Sequence, residues 1–320
     1  MKTGILLLNF GGPWTISDVK PFLYRLFANP RVLVGIPTPL RQMLAFAIAQ
    51  VKGPSSIKSY RLIGGGSPQL KWTVIQAEGL RTLLETDSVR VEIGMRSAEP
   101  SIKTALDRLQ FWGADELVLL PLFPQYSTTT TGTCFDEVKR SLEALEWEPR
   151  VREVDSWSDV PGYTNLLSEL VSEAIWEAET DRGDATDPIH VIFSAHSLPL
   201  KIVERGDPYP AHVARTVAAI TPRLSHPWSV AFQSRNGKMP WLQPYLEDEL
   251  KRLGNSGIKR VVVVPISFVS DHIETLFELD LLYAKAAREN GISHYYRARC
   301  FNGDPEFPRV LRSLVVEAQA

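Results

Sequence analysis

Residues 193–199 read FSAHSLP and place one histidine, His196, where the strand-forming run IHVIFSA ends, three positions ahead of Pro199. Imidazole is the side chain whose ordinary pKa suits proton exchange at neutral pH, and it also ligates borderline metals. An isolated histidine at the end of a buried strand can equally be a hydrogen-bonded core residue, so His196 alone does not decide. A second set of groups stands in VSDHIETLFELD (269–280). A helix beginning at Asp271 would set Asp271, Glu274 and Glu278 at i, i+3 and i+7, on one face. Three carboxylates on one stripe repel. A helix start tolerates Asp271 because of its dipole, but that does not account for Glu278 beside Leu276, Phe277 and Leu279. Acids in apolar company acquire raised pKa values and can pass protons or hold a cation. A neutral imidazole from one strand end and a carboxylate from another suit a borderline divalent metal such as Fe²⁺, as a sparse ligand set rather than a closed cage.

Six segments must position these groups. GILLLNF (4–10), VRVEIGMR (89–96), ELVLLPLF (116–123), IHVIFSAH (189–196), WSVAFQS (228–234) and RVVVVPISF (260–268) are mostly continuous apolar runs, the pattern of parallel strands covered on both faces. Helical segments at 101–113, 162–179 and 245–254 alternate with them, which predicts a doubly wound α/β architecture. The two halves echo each other. ILLLNFGGP (5–13) aligns with HVIFSAHSLP (190–199) on its final proline, and 96–123 matches 234–268 in strand–loop–helix–Gly–strand order. The expected organisation is two similar Rossmann-like halves. The first is 1–158, including an apolar segment at about 20–52 and joined by a C-terminal helix at 306–320; the second is 159–305. Ligands of such sheets sit beyond the C-terminal strand ends. Phe10, Arg96, Ser127, His196, Ser234 and Asp271 all fall at or just after such ends, and facing halves would place them around one cleft.

Composition narrows the alternatives. The 320 residues are 44% hydrophobic and 22% charged, with a net charge of −2, so nucleic-acid binding is not expected. Two cysteines, Cys134 and Cys300, exclude a four-cysteine zinc or iron–sulfur site within this chain and suit a reducing cytoplasm. The apolar start of the chain reads as a first strand and turn rather than a signal peptide. No stretch is long and apolar enough to span a bilayer. IGGGSP (63–68) lacks the spacing of a dinucleotide loop, and STTTTGT (127–133) is either a polar loop or an anion cradle.

Read together and in order, LLNFGGP (7–13), YRLIGGGSP (60–68), PQYSTTTTG (124–132), FSAHSLP, RGDPYP (205–210), MPWLQP (239–244) and SFVSDHIETLFELD (267–280) resemble the ferrochelatases, which insert Fe²⁺ into a porphyrin. SAHSLP combined with SDHIETL is the specific part of that resemblance, which covers essentially the whole chain. It implies His196 as metal ligand or acceptor of pyrrole protons, and Glu274 as its partner on the opposite wall, in metal binding or proton transfer. Asp271, His272 and Glu278 become the polar track behind that acid. Ser67, Arg96, Ser127 and Lys52 would shape the pocket or hold propionates, and Phe10, Met239, Trp241 and Phe268 would line the macrocycle. The substrates implied are protoporphyrin IX and Fe²⁺, with coproporphyrin III or another tetrapyrrole and metal as the alternative. No permanently bound cofactor and no [2Fe–2S] cluster is expected, and a monomer is. A haem or porphyrin carrier is the non-enzymatic rival, but a carrier has no need of the opposing acids. The resemblance also casts 21–51, apolar but broken by Arg25, Arg31 and Arg41, as a lip over the porphyrin pocket. The alternative is helices packed on the first half. As a lip it would touch a bilayer peripherally from the cytoplasmic side.

Overall fold

The computed structural model of the chain describes every residue except 34, 85, 182–186 and 238. The chain divides into two units, Met1–Trp157 with Asn302–Ala320, and Ser158–Phe301. All six apolar runs are strands, five of them buried over most or all of their length and β6 over its second half.

The first unit runs β1 (Thr3–Asn9), α1 (Val19–Phe27), α2 (Thr38–Leu62), α3 (Gln69–Leu84), β2 (Val89–Met95), α4 (Ile102–Trp112), β3 (Glu116–Pro121), α5 (Thr131–Ala144) and β4 (Arg150–Glu153). Its parallel sheet has the order β2-β1-β3-β4, with Leu7 of β1 opposite Ile93 on one side and Leu120 on the other. Helices on both faces bury the central strand fully, which is why its sequence does not alternate. Ile102, Ala105, Leu106 and Leu109 repeat at helical spacing and pack on Leu6, Leu8, Leu117 and Leu119. Ser101 caps that helix by accepting from the Thr104 N–H, and Gly113 ends it at φ 84°, a left-handed conformation that glycine adopts without a Cβ penalty.

The second unit runs α6 (Pro161–Thr180), β5 (Ile189–His196), α7 (Leu200–Val203), α8 (Tyr209–Ile220), β6 (Trp228–Gln233), α9 (Leu246–Asn255), β7 (Arg260–Pro265), a π-helix (Glu274–Tyr283), α10 (Ala284–Glu289) and β8 (His294–Arg297). The order β6-β5-β7-β8 repeats that of the first sheet strand for strand. Leu246, Leu250 and Leu253 of α9 pack with Val261, Val263 and Leu279 in the core.

The final helix, α11 (Phe307–Gln319), belongs to the first unit and packs on α3. A Cβ on Gly79 would stand 2.4 Å from Pro308 Cγ, so the two helices approach this closely only because the residue is glycine. No helix among the described residues is long and apolar enough to cross a membrane.

Candidate active site

In the second unit, three strands end side by side and deliver their loops to one place. His196 is the last residue of β5, Gln233 ends β6 with Ser234 just after it, and Ser267 and Phe268 follow β7. The His196 Nδ1 lies 2.6 Å from the Ser197 carbonyl oxygen. A carbonyl only accepts, so Nδ1 carries a proton and Nε2 is the ring nitrogen left to face the site. That nitrogen faces Glu274 Oε1 at 3.7 Å, too far for a hydrogen bond and close enough for charge to be felt. The His196 backbone is fixed as well: its N–H donates to Ser267 Oγ at 3.3 Å, and that hydroxyl lies 2.6 Å from the Tyr209 hydroxyl. The Phe268 ring meets His196 edge-on, with centroids 6.4 Å apart.

His272 behaves differently. Its Nδ1 donates to the Ser270 carbonyl at 3.0 Å, and its Nε2 contacts Glu274 Oε2. With one nitrogen committed as donor, the other can hydrogen-bond a carboxylate only when protonated, so His272 is the imidazolium of an ion pair. Burial by itself lowers the His272 pKa, but the Glu274 charge and hydrogen bond more than reverse this, and the net shift is upward. Burial likewise would raise Glu274, yet the His272 charge and hydrogen bond, with His196 adding to them, hold its carboxyl down at about 2. The Glu274 side chain keeps 28% of its surface exposed, so the ionised carboxylate is also open to solvent.

Glu278 is the opposite case. Burial raises it, the neighbouring Glu274 charge raises it further, and hydrogen bonds from Ser234 and Gln233 only partly compensate, leaving it at about 7. Ser234 Oγ donates to Glu278 Oε2 at 2.5 Å, and Gln233 Nε2 reaches the same oxygen at 3.4 Å. Gln233 also donates to the Glu274 carbonyl oxygen at 2.8 Å, while its own side-chain oxygen accepts from Ser194 at 2.8 Å. That amide therefore fixes the first turn of the π-helix to the sheet. Ser234 does its part from φ 67°, a conformation that costs a non-glycine residue energy and that clusters at functional sites.

The three-acid stripe expected at 271, 274 and 278 is not formed. The regular helix begins at Glu274, not Asp271, and its wider i+5 turns replace α-helical spacing. Asp271 precedes it and faces Arg297 Nη1 at 3.1 Å. The same arginine takes half-buried Asp280 through two contacts of 2.5 and 3.0 Å.

The other expected residues are placed as follows. The 239–242 segment runs beside the chain after His196: Leu200 N–H donates to Pro240 at 3.0 Å and Leu242 N–H to Leu198 at 2.9 Å, which sets exposed Met239 and half-buried Trp241 next to that turn. In the first unit, Phe10 follows β1 and its carbonyl oxygen accepts from the Ser97 N–H at 2.9 Å. Arg96 turns to α5, donating to the Thr133 carbonyl oxygen at 3.2 Å and facing Glu137 at 3.6 Å. Ser127 is buried, with its hydroxyl 2.8 Å from that of Thr129. Ser67 anchors the GGGSP turn through its N–H to the Pro13 carbonyl at 2.7 Å. Lys52 lies over the Phe27 ring at 5.6 Å, and burial lowers its pKa. Both cysteines are buried. Among the described residues, no group of three or more His, Cys, Asp or Glu side chains is arranged to hold a metal ion.

The family model for ferrochelatase matches residues 2–319. The chain belongs to the ferrochelatase family. It is 40% identical over 329 residues to the ferrochelatase of Gloeothece citriformis, covering 99% of this chain and 82% of that one. The Trichodesmium erythraeum ferrochelatase gives the same identity, length and coverage. Among solved structures, Bacillus subtilis SirB with Fe³⁺ superposes with a TM-score of 0.59 at 13% identity, over 100% of this chain and 96% of the other. CbiX, described as the terminal enzyme for biosynthesis of sirohaem in denitrifying bacteria, gives 0.53 at 16% identity, over 100% of both chains. At such identities these two speak for the shared fold, two four-stranded parallel sheets flanked by helices. Membership of the ferrochelatase family makes this chain a metal-chelating lyase with porphyrin and metal as substrates.

Proposed function

We propose that the protein inserts Fe²⁺ into protoporphyrin IX to give protohaem and two protons. The observation that carries this is the His196 Nε2 standing 3.7 Å from the Glu274 carboxylate while Nδ1 is held on the Ser197 carbonyl oxygen. A free-base porphyrin must lose two pyrrole protons, and an imidazole with one nitrogen locked as donor offers its other lone pair to them in a single direction. As His196 takes a proton, the Glu274 carboxylate offsets the new charge. Glu278, poised near neutrality, then gives a proton a next acceptor towards Ser234 and solvent. His196 and Glu274 supply two contacts to the incoming Fe²⁺, and the macrocycle's nitrogens supply the rest. Within the second unit, Met239, Trp241 and Phe268 offer the ring apolar contacts around the His196 turn.

The test is anaerobic haem formation followed spectroscopically with Fe²⁺ and, in parallel, protoporphyrin IX and coproporphyrin III. Protohaem formation faster than coprohaem supports the assignment. The reverse preference moves the protein to the coproporphyrin branch, and no metallation with either, despite porphyrin binding, makes it a carrier.

We also propose peripheral membrane association from the cytoplasmic side through α2, whose Leu40, Met43, Phe46 and Val51 are exposed to solvent. Flotation with anionic liposomes tests it; a protein that stays at the bottom of the gradient has no such affinity.

A further inference from the structure

The first unit holds a cavity of about 510 Å³ that the chemistry above does not use. Its walls come from the turn after β1, with Trp14, from α1, with Phe22 and Arg25, and from the segment leading from β2 into α4, with Ser97, Thr104 and Arg108. That size suits a small organic ligand. Two acids also line it, and both are spent within the chain. Asp18 accepts from the Thr15 N–H and hydroxyl, and Glu99 accepts from the Ser101 N–H. The cations are less committed. Arg25 makes one long hydrogen bond, 3.5 Å, to the Ser97 carbonyl oxygen, and Arg108 approaches Glu92 at 3.4 Å. Ser97 is 1% exposed, and its buried hydroxyl has no hydrogen-bond partner. A buried hydroxyl left so is costly, and an acceptor beside it would relieve that cost. The Trp14 indole, 58% exposed, and Phe22 line the same space.

We propose that this cavity binds a one- or two-ring aromatic carboxylate. Its carboxylate is taken by Arg25, with Ser97 and Arg108 alongside, and its ring lies against Trp14 and Phe22. The guanidinium fork selects the planar, charged carboxylate, and the aromatic wall selects a flat apolar body. Occupancy bears on α1, which is tied to α2 by Lys20 donating to Gln50 at 2.8 Å. The inference does not depend on which porphyrin the enzyme uses.

Titration calorimetry of the full chain with 2-naphthoate tests it. The expected result is saturable one-to-one binding that quenches tryptophan emission, the quench vanishing in Trp14→Phe. The neutral isostere 2-naphthalenemethanol should bind about tenfold or more weakly, as should 2-naphthoate with Arg25→Gln, and Arg25→Lys should recover part of the loss. Arg108→Gln carries the same expectation if Arg25→Gln lowers the unfolding midpoint. Equal affinity for the neutral isostere, or full affinity in both arginine variants, overturns the proposal. So does binding that is lost in Glu274→Gln instead, because 2-naphthoate would then be reporting the porphyrin site.

Discussion

The two units share one strand order and place helices after equivalent strands, yet they treat their acids in opposite ways. After β3 comes an ordinary α-helix, α5, in which Glu137 is held by Arg140 and faces Arg96 at 3.6 Å. After β7 comes a π-helix, in which Glu278 has a hydroxyl and an amide but no arginine. An acid matched by guanidinium groups serves the fold. An acid matched by neutral donors, and crowded by another carboxylate, titrates where cells live. The strand tips differ in the same sense. With Pro13 aligned on Pro199, the phenyl ring of Phe10 stands where the second unit has the His196 imidazole. The scaffold is common to both, and its chemistry depends on which side chains face the strand ends.

The largest effect expected is on His196. Replacing it by alanine should cut turnover by roughly 10²- to 10⁴-fold while porphyrin still binds, as judged by porphyrin fluorescence titration. A variant with undiminished turnover would erase the contrast between the strand tips. Glu274→Gln should come next, lowering turnover by about tenfold or more with the unfolding midpoint little changed.

Glu278→Gln should remove a limb near pH 7 from the pH–rate profile, because the wild-type carboxyl titrates at about 7. Its folded pKa lies above the unfolded value of 4.5, so the native state binds more protons between the two and stability falls as pH rises through that window. Glu278→Gln should therefore flatten the decline of the unfolding midpoint between pH 5 and 8. Glu274 has the opposite sign. Its carboxyl is depressed to about 2, so its ion pair stabilises above the unfolded pKa of 4.5 and is lost as pH falls through 2. Ser234→Ala should move the pH 7 limb upward without abolishing it, since it removes one hydrogen bond to the ionised form.

The smallest catalytic effect is expected from Gly79→Ala. The new methyl would meet Pro308 and cost about 1–3 kcal/mol in thermal or denaturant unfolding, with turnover retained below the midpoint. A fully stable variant would mean that α11 contributes little to the first unit.

Much of this fold was legible because buried parallel strands are written as continuous apolar runs. The edge strands β4 and β8 were not, since RVRE and HYYR are four residues long, polar and exposed or half-buried. His196 and Glu278 stood out locally, one by its place at a strand end and one by its apolar neighbours. A helix start at Asp271 is not what forms, because α-helical spacing does not extend back from a helix that starts three residues later and has a wider turn. The Gln233 anchor left no local trace: it joins a strand end to a helix start 41 residues away and exists only once the sheet has formed. The switch of His272 to an imidazolium is likewise a tertiary fact, set by one carbonyl and one carboxylate.

The return of Asn302–Ala320 to the first unit makes the second unit an insertion within it. During synthesis the surface of α3 around Gly79 must wait, uncovered, until all of residues 158–301 have left the ribosome and α11 arrives to cover it. The half that carries the candidate acids can thus complete its sheet before the half that opens the chain has its last helix, so maturation proceeds from the inside of the sequence outward.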